Sequence, residues 1–235
     1  MFVVYAHRGA SEYAPENTMS SFYLGLKLGA NGIETDVRRT KDGVLVLFHD
    51  KTLERVVGET GGVGDYTYAE LLEMRVRNYK TATEDIIVRF EDFLRYFGFR
   101  DINFAIELKE PGTEKEVLEL LEKYNMREKT VVTSFKFECI RTFKALCPSY
   151  RVGHLAADFD DEAIARMKEI GGEQLCPQAE NVTAEKVSAW HEMGYSVRAW
   201  GVADVELMKL AYDSGVDGMT VNFPDLLVSY AIAKQ

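Results

Sequence analysis

What the 235-residue sequence lacks narrows its class before any motif is read. No apolar run approaches the roughly 20 residues that span a bilayer, so stable membrane insertion is not expected. The first residues, Met1-Phe2-Val3-Val4-Tyr5-Ala6, offer neither a basic stretch nor a signal-length apolar segment, and a cytoplasmic protein is the expectation. Basic residues are outnumbered, 28 Lys and Arg against 38 Asp and Glu, and the net charge of −10 comes without a long basic run. Nucleic acid is therefore not an expected partner, because phosphate backbones are bound through clustered cations. A small anionic ligand would need positive groups of its own. The cysteines, Cys139, Cys147 and Cys176, are odd in number and lack C-x-x-C spacing; they read as free thiols in a reducing compartment. No Gly-x-Gly-x-x-Gly follows the first predicted strand, which argues against an open, doubly wound sheet.

What is present is organised around Gly32-Ile33-Glu34-Thr35-Asp36-Val37. This reads as a buried strand that nevertheless carries two carboxylates. Strand side chains alternate between faces, so Glu34 and Asp36 share one, roughly 7 Å apart along the chain and within reach of a single ion. Like charges that close need a cation between them or a shared proton. Asp42-Gly43 lies between two extended runs and signals a two-residue hairpin turn. With those residues at the turn centre, Asp36 faces His49 across the hairpin, and an imidazole reaches the edge of the carboxylate pair.

Along the chain, Val3 to Ala6 predicts a first strand, followed by a helix capped near Asn17-Thr18 and running to Gly29. Residues 50–90 are less regular. Glycines 58, 61, 62 and 64 predict a loop, and Tyr68 to Arg75 and Glu91 to Phe97 two short helices. The stretch is too short to fold alone and reads as a small insertion after the second strand. From Asn103 the pattern becomes regular, with strands near 104–108, 130–134, 151–154, 174–176, 196–200 and 218–221, each followed by a helix. Eight strand-helix units in a chain of this length predict an α/β protein, a TIM (β/α)8 barrel spanning residues 1–235 as one domain.

Active sites of such barrels lie at the C-terminal ends of the strands. Strand one ends in His7-Arg8, strand two carries Glu34 and Asp36, and strand three runs Ala105-Ile106-Glu107-Leu108-Lys109, with Glu107 and Lys109 on one face. Taken singly, such charges at strand ends are usually solvated. Their recurrence at one end of three successive strands favours a common site. Oxygen donors from three carboxylates suit a hard divalent ion, Mg²⁺ or Ca²⁺, rather than zinc. Arg8 and Lys109 supply charge-assisted donors for a phosphate, and His7 and His49 can divide the roles of general acid and base.

The strings His7-Arg8-Gly9, Pro15-Glu16-Asn17-Thr18, Glu34-Thr35-Asp36-Val37, Thr40-Lys41-Asp42-Gly43, His49-Asp50 and Glu107-Leu108-Lys109 resemble the glycerophosphodiester phosphodiesterases in order and spacing. The resemblance spans the chain. It implies metal-dependent hydrolysis of glycerophosphodiesters to sn-glycerol 3-phosphate and an alcohol. It also implies Glu34, Asp36 and Glu107 as ligands of one divalent cation, His7 and His49 as the acid/base pair, and Arg8 and Lys109 as phosphate contacts. The sequence departs from the family near its end, with Trp200-Gly201 where Trp-Thr is usual and Val221-Asn222-Phe223-Pro224 where the family tends to Thr-Asp before proline.

Trp200 is a candidate wall of the substrate pocket, and Ser134 and Phe135 are further rim candidates. Glu16 and Asn17 read first as helix-start residues, His154 as a structural histidine and His191 as a solvated one. Two rival functions share the rim: a lipid-directed metal phosphodiesterase, which needs an apolar or basic interfacial cluster not evident here, and a barrel that binds phosphodiesters without turnover.

Overall fold

The computed structural model describes residues 2–234. The first half contains β1 (Val3–His7), α1 (Met19–Lys27), β2 (Gly32–Arg39), β3 (Leu45–Leu47), α2 (Tyr68–Leu72), β4 (Val76–Asn78), β5 (Thr83–Asp85) and α3 (Phe90–Phe97). Strand and helix then alternate through β6 (Asn103–Leu108), α4 (Glu114–Lys123), β7 (Thr130–Ser134), α5 (Phe137–Leu146), β8 (Arg151–Ala156) and α6 (Asp161–Ile170). They continue through β9 (Gln174–Pro177), α7 (Ala184–Glu192), β10 (Ser196–Ala199), α8 (Val205–Asp213), β11 (Gly218–Val221) and α9 (Pro224–Ala233).

Strands β1, β2, β6, β7, β8, β9, β10 and β11 pair in parallel in that order, and β1 also pairs with β11, which closes the sheet. The expected TIM barrel is therefore the observed fold. Its main core lies where alternate strand residues meet the helices: Ile33, Val37, Phe104, Ile106 and Leu108 pack in one cluster with Phe22, Phe93 and Phe97. Phe93 meets Phe22 edge-on at 4.8 Å and Phe104 at 5.9 Å. Burying one such ring contributes about 1.5–3 kcal/mol. The opposite face of β2 and β6 is left for Glu34, Asp36 and Glu107.

Two features of residues 40–90 depart from the sequence reading. The hairpin register is one residue off: Val37 pairs with Leu47 and Arg39 with Leu45, so Phe48, not His49, lies beside Asp36 and donates its N–H to the Asp36 carbonyl. The cause is the turn. Gly43 N–H bonds the Thr40 carbonyl, Thr40 N–H bonds that of Val44, and Gly43 has φ of 85°, giving a three-residue loop with glycine in the left-handed position. Between the two predicted helices, β4 and β5 form a small antiparallel hairpin that the sequence reading missed. This region has a satellite core of its own, in which Leu53, Val56, Leu71, Val76 and Ile87 pack against Val46 and Phe48 of the hairpin arm. None of the described helices is long and apolar enough to cross a membrane.

Candidate active site

Strand register assembles the acidic centre. Asp36 pairs directly with Glu107, and Glu34 with His7. Glu34, Asp36 and Glu107 are buried, and each offers a carboxylate oxygen within 4.8 Å of those of the other two. Burial and the neighbouring Asp36 and Glu107 push Glu34 well above the usual carboxylate range. Glu107 is raised by burial and by Asp36, although Lys109 Nζ lies 2.6 Å from it and works the other way. Asp36 is held well below its ordinary range: burial opposes ionisation, but Lys109 at 3.4 Å and Arg8 at 3.4 Å outweigh it. Two polar atoms at this centre are buried without a hydrogen bond, Asp36 Oδ1 and Arg8 Nε.

The segment after β1 wraps the same centre. Arg8 has φ of 56°, an uncommon conformation for a residue with a side chain, and its N–H donates to Glu34 Oε2 at 3.2 Å. Gly9 follows with φ of 83°, and a Cβ there would stand 2.4 Å from the backbone of Ser21, so only glycine fits. Thr18 caps α1, as expected. Asn17 does not act as a helix-start residue; its side-chain amide donates to Asp36 Oδ2 at 2.8 Å and accepts from Thr35 at 2.7 Å. Glu16 likewise leaves the helix to others and pairs with Arg8 at 2.9 Å.

Both predicted histidines line one cavity with Arg8, Glu34 and Glu107. His7 Nδ1 lies 2.6 Å from Asn222 Oδ1, which can only accept, so Nδ1 carries the proton and Nε2 is left as an acceptor 3.9 Å from Glu34 Oε2. Burial and the adjacent Arg8 lower its pKa to about 3. His49 arrives by a route other than the one its sequence position suggested. It lies beyond the last ladder pair of β3, and the Arg38 guanidinium fixes its backbone carbonyl with bonds of 2.7 and 3.1 Å. Its Nδ1 bonds Asp50 Oδ1 at 2.6 Å. Burial lowers the His49 pKa, while Asp36 pulls it the other way.

Behind these groups runs a chain of ion pairs that the sequence reading did not find. Arg55 donates to Asp50 at 2.6 Å and to both oxygens of Glu16 at 2.6 and 2.8 Å. Arg8, Glu16, Arg55, Asp50 and His49 are thereby linked into one continuous series. The motif string already contained Asp50; nothing in the sequence placed Arg55 against residue 16.

The far wall is aromatic. Trp200 lines the cavity, its indole N–H donating to the carbonyls of Ala156 and Cys176 at 3.1 and 2.9 Å, and Phe135 meets it edge-on at 4.8 Å. Ser134 instead donates to the Leu108 carbonyl, a structural role. The floor holds Arg198, also missed from the sequence, almost fully buried and bonded to Gln174, Thr220 and Cys176. His154 lies outside this cavity, packed between Phe137 and Phe159, as a structural histidine should. His191 is not simply solvated; it pairs with Asp217 at 2.8 Å.

A closed barrel with carboxylates, a guanidinium and an ammonium group gathered at its C-terminal mouth has its charged groups where barrel active sites lie, and likeness to known proteins puts the chain among the TIM-barrel phosphoric diester hydrolases. Residues 7–226 match the model of the glycerophosphoryl diester phosphodiesterase family, and the chain belongs to that family of hydrolases. It is 32% identical over 235 residues to a glycerophosphodiester phosphodiesterase of Caldanaerobacter subterraneus subsp. tengcongensis, covering 97% of this chain and 96% of the relative. It is 34% identical to one of Bacillus altitudinis, covering 97% of each. Among solved structures, a phosphodiesterase of Oleispira antarctica in complex with the product sn-glycerol-3-phosphate superimposes with a TM-score of 0.87 at 26% identity, over 98% of this chain and 96% of the other.

Proposed function

We propose that the chain hydrolyses glycerophosphodiesters to sn-glycerol 3-phosphate and an alcohol with the help of one divalent cation, Mg²⁺ or Ca²⁺, held by Glu34, Asp36 and Glu107. The observation that carries this reading is the trio of buried carboxylates within 4.8 Å of one another, in which Asp36 Oδ1 receives no hydrogen bond. Three oxygen donors fit a hard ion, and burial that raises Glu34 and Glu107 marks a place where positive charge is welcome. When bound, such a cation polarises a phosphoryl oxygen and offsets the charge that develops on it.

The chain's own residues do the rest. Arg8, whose Nε faces Asp36 at 3.4 Å without a hydrogen bond, and the Lys109 ammonium take the remaining phosphoryl oxygens, the first from a planar fork and the second as a point charge. His7 and His49 each anchor Nδ1 and leave Nε2 for proton transfer. One takes the proton of the attacking oxygen, whether water or the glycerol 2-hydroxyl, and the other delivers a proton to the leaving alkoxide. Trp200 and Phe135 shield the reacting group from water on one side. The product bound by the Oleispira antarctica relative supports the assignment of sn-glycerol 3-phosphate. The free thiols of Cys139, Cys147 and Cys176 support a cytoplasmic setting.

The test is to strip the purified protein with a chelator and follow glycerol 3-phosphate release from glycerophosphocholine and glycerophosphoglycerol. Release that stops on stripping and returns with Mg²⁺ or Ca²⁺ is expected. Undiminished release from the stripped protein would overturn the metal-dependent reading.

A further inference from the structure

A diester has two substituents, and the site has two cavities. The inner one, of about 180 Å³, is the pocket walled by Phe135, Leu155 and Trp200. An outer cleft of about 400 Å³ opens between the loop after β1 and the insertion, and the two share His7 and Arg8 as their common wall. A phosphate at Arg8 therefore sits at the junction, with one substituent on either side.

The outer cleft is built by the insertion. Asn78 ties it to the first loop by donating to the carbonyls of Ser11 and Ala14 at 3.0 Å each, and Lys80 clamps Glu12 at 2.7 and 2.8 Å. Its lining brings together Arg8, Arg55, Arg77 and Lys80 against Glu12 and Glu16, four cations to two carboxylates in a chain whose net charge is −10. Arg55 and Lys80 are occupied by close ion pairs. Arg77 is anchored by an Nη1 hydrogen bond to the Val57 carbonyl at 2.8 Å, but its carboxylate contact is the longest of the four, Nε lying 3.7 Å from Glu84, so its charge is the least neutralised by a close ion pair. The one aromatic ring in the lining, Tyr79, is 66% exposed and has no second ring to complete a cage for a quaternary ammonium.

We infer that the inner pocket takes the constant glycerol arm, and that the outer cleft is a subsite for the variable alcohol, selecting hydroxyl-rich or anionic alcohols over cationic ones. The inference rests on the phosphodiesterase reading above and adds to it the discrimination between leaving groups.

The experiment compares kcat/KM for glycerophosphoinositol and glycerophosphocholine in the wild type, in Arg77→Glu and Arg77→Lys, and in Lys115→Glu, a surface control on α4 whose side chain is 76% exposed. The wild type should prefer the inositol substrate. Arg77→Glu should lower that preference about fivefold, the scale of one exposed charge contact, while Arg77→Lys retains most of it and Lys115→Glu leaves it unchanged. Equal or greater activity on the choline substrate in the wild type, or a ratio that Arg77→Glu does not move, would overturn the subsite. Chelator-resistant hydrolysis with the ratios as predicted would instead fault the metal-dependent reading and leave the subsite standing.

Discussion

The two halves of the site are built differently. Glu34, Asp36, Glu107 and Lys109 come from the ends of barrel strands, or one residue beyond, in a parallel ladder that fixes them to one another. His49, Asp50 and Arg55 come from the chain that leaves the hairpin arm, and ion pairs with partly exposed side chains hold them. The strand half gathers like charges in a dry place, at a cost in folding free energy that its cations only partly offset. The loop half is wetter, and each contact contributes little alone. The contrast fits the roles proposed for each half: ligands for an ion need fixed separation, whereas a proton-transfer group needs only its orientation.

That contrast is testable from its strongest side downward. Replacing two members of the trio, Glu34→Gln with Glu107→Gln, removes two of the three carboxylates proposed to hold the cation, and a fall in turnover beyond about 10³-fold is expected, the scale of losing an electrostatic stabiliser in a buried site. The same double variant should melt higher than the wild type in chelator, because burial and mutual repulsion already penalise those charges. A lower melting temperature in chelator would show that the trio does not strain the empty fold.

Next in size are the histidines. His7→Ala and His49→Ala should each lower kcat by about 10²–10⁴-fold with unchanged circular dichroism. Either variant turning over at the wild-type rate would remove that ring from proton transfer.

Arg55→Ala should cost less, about 10-fold to 100-fold in kcat, as expected of a group that orients another. Its effect on stability should stay within about 1 kcal/mol, because the pairs it makes are partly exposed. The variant acts through His49, so the double variant with His49→Ala should be little slower than His49→Ala alone. Additive losses would mean that Arg55 works elsewhere.

The smallest effect is on acid stability. Burial opposes ionisation of Asp50, but hydrogen bonds from Arg55 and His49 hold its pKa down at about 2. A depressed carboxylate contributes stability fully above its unfolded pKa of about 4, and loses it as pH falls towards the folded value. Wild type should therefore lose more stability than Asp50→Asn between about pH 4 and 2 in chemical denaturation, by a modest amount given its partner's exposure. Parallel curves over that interval would show that the pair adds nothing to the fold.

How much of this was legible in the sequence depended on how strongly each residue broke a local pattern. The barrel could be read because β6 to α9 alternate apolar strands with amphipathic helices. Glu34, Asp36 and Glu107 could be read because a charge on a buried strand is expensive without a partner. The register of β2 and β3 was misread because Asp-Gly serves both a two-residue turn and a three-residue turn with Gly43 left-handed. His49 reached the site all the same, because Arg38 and Asp50 place it rather than the ladder. The β4–β5 hairpin escaped notice because Val76-Arg77-Asn78 and Thr83-Glu84-Asp85 are short and mostly polar. Arg55 and Arg198 were invisible for a simpler reason: Arg55 meets Glu16, and Arg198 meets Gln174 and Thr220, across long sequence separations, and a charged side chain in a loop or strand end looks solvated until its neighbours are known. Asn222 stood out only as a departure from the family, and its bond to His7 could not be read for the same reason.

The central claim is that the three carboxylates share one dication, and the most direct test is a crystal soaked in Mn²⁺ with data collected for anomalous scattering. A single strong peak lying within about 2.6 Å of oxygens from Glu34, Asp36 and Glu107 together is the predicted result. A peak elsewhere, or none at this trio under conditions that support turnover, would contradict it.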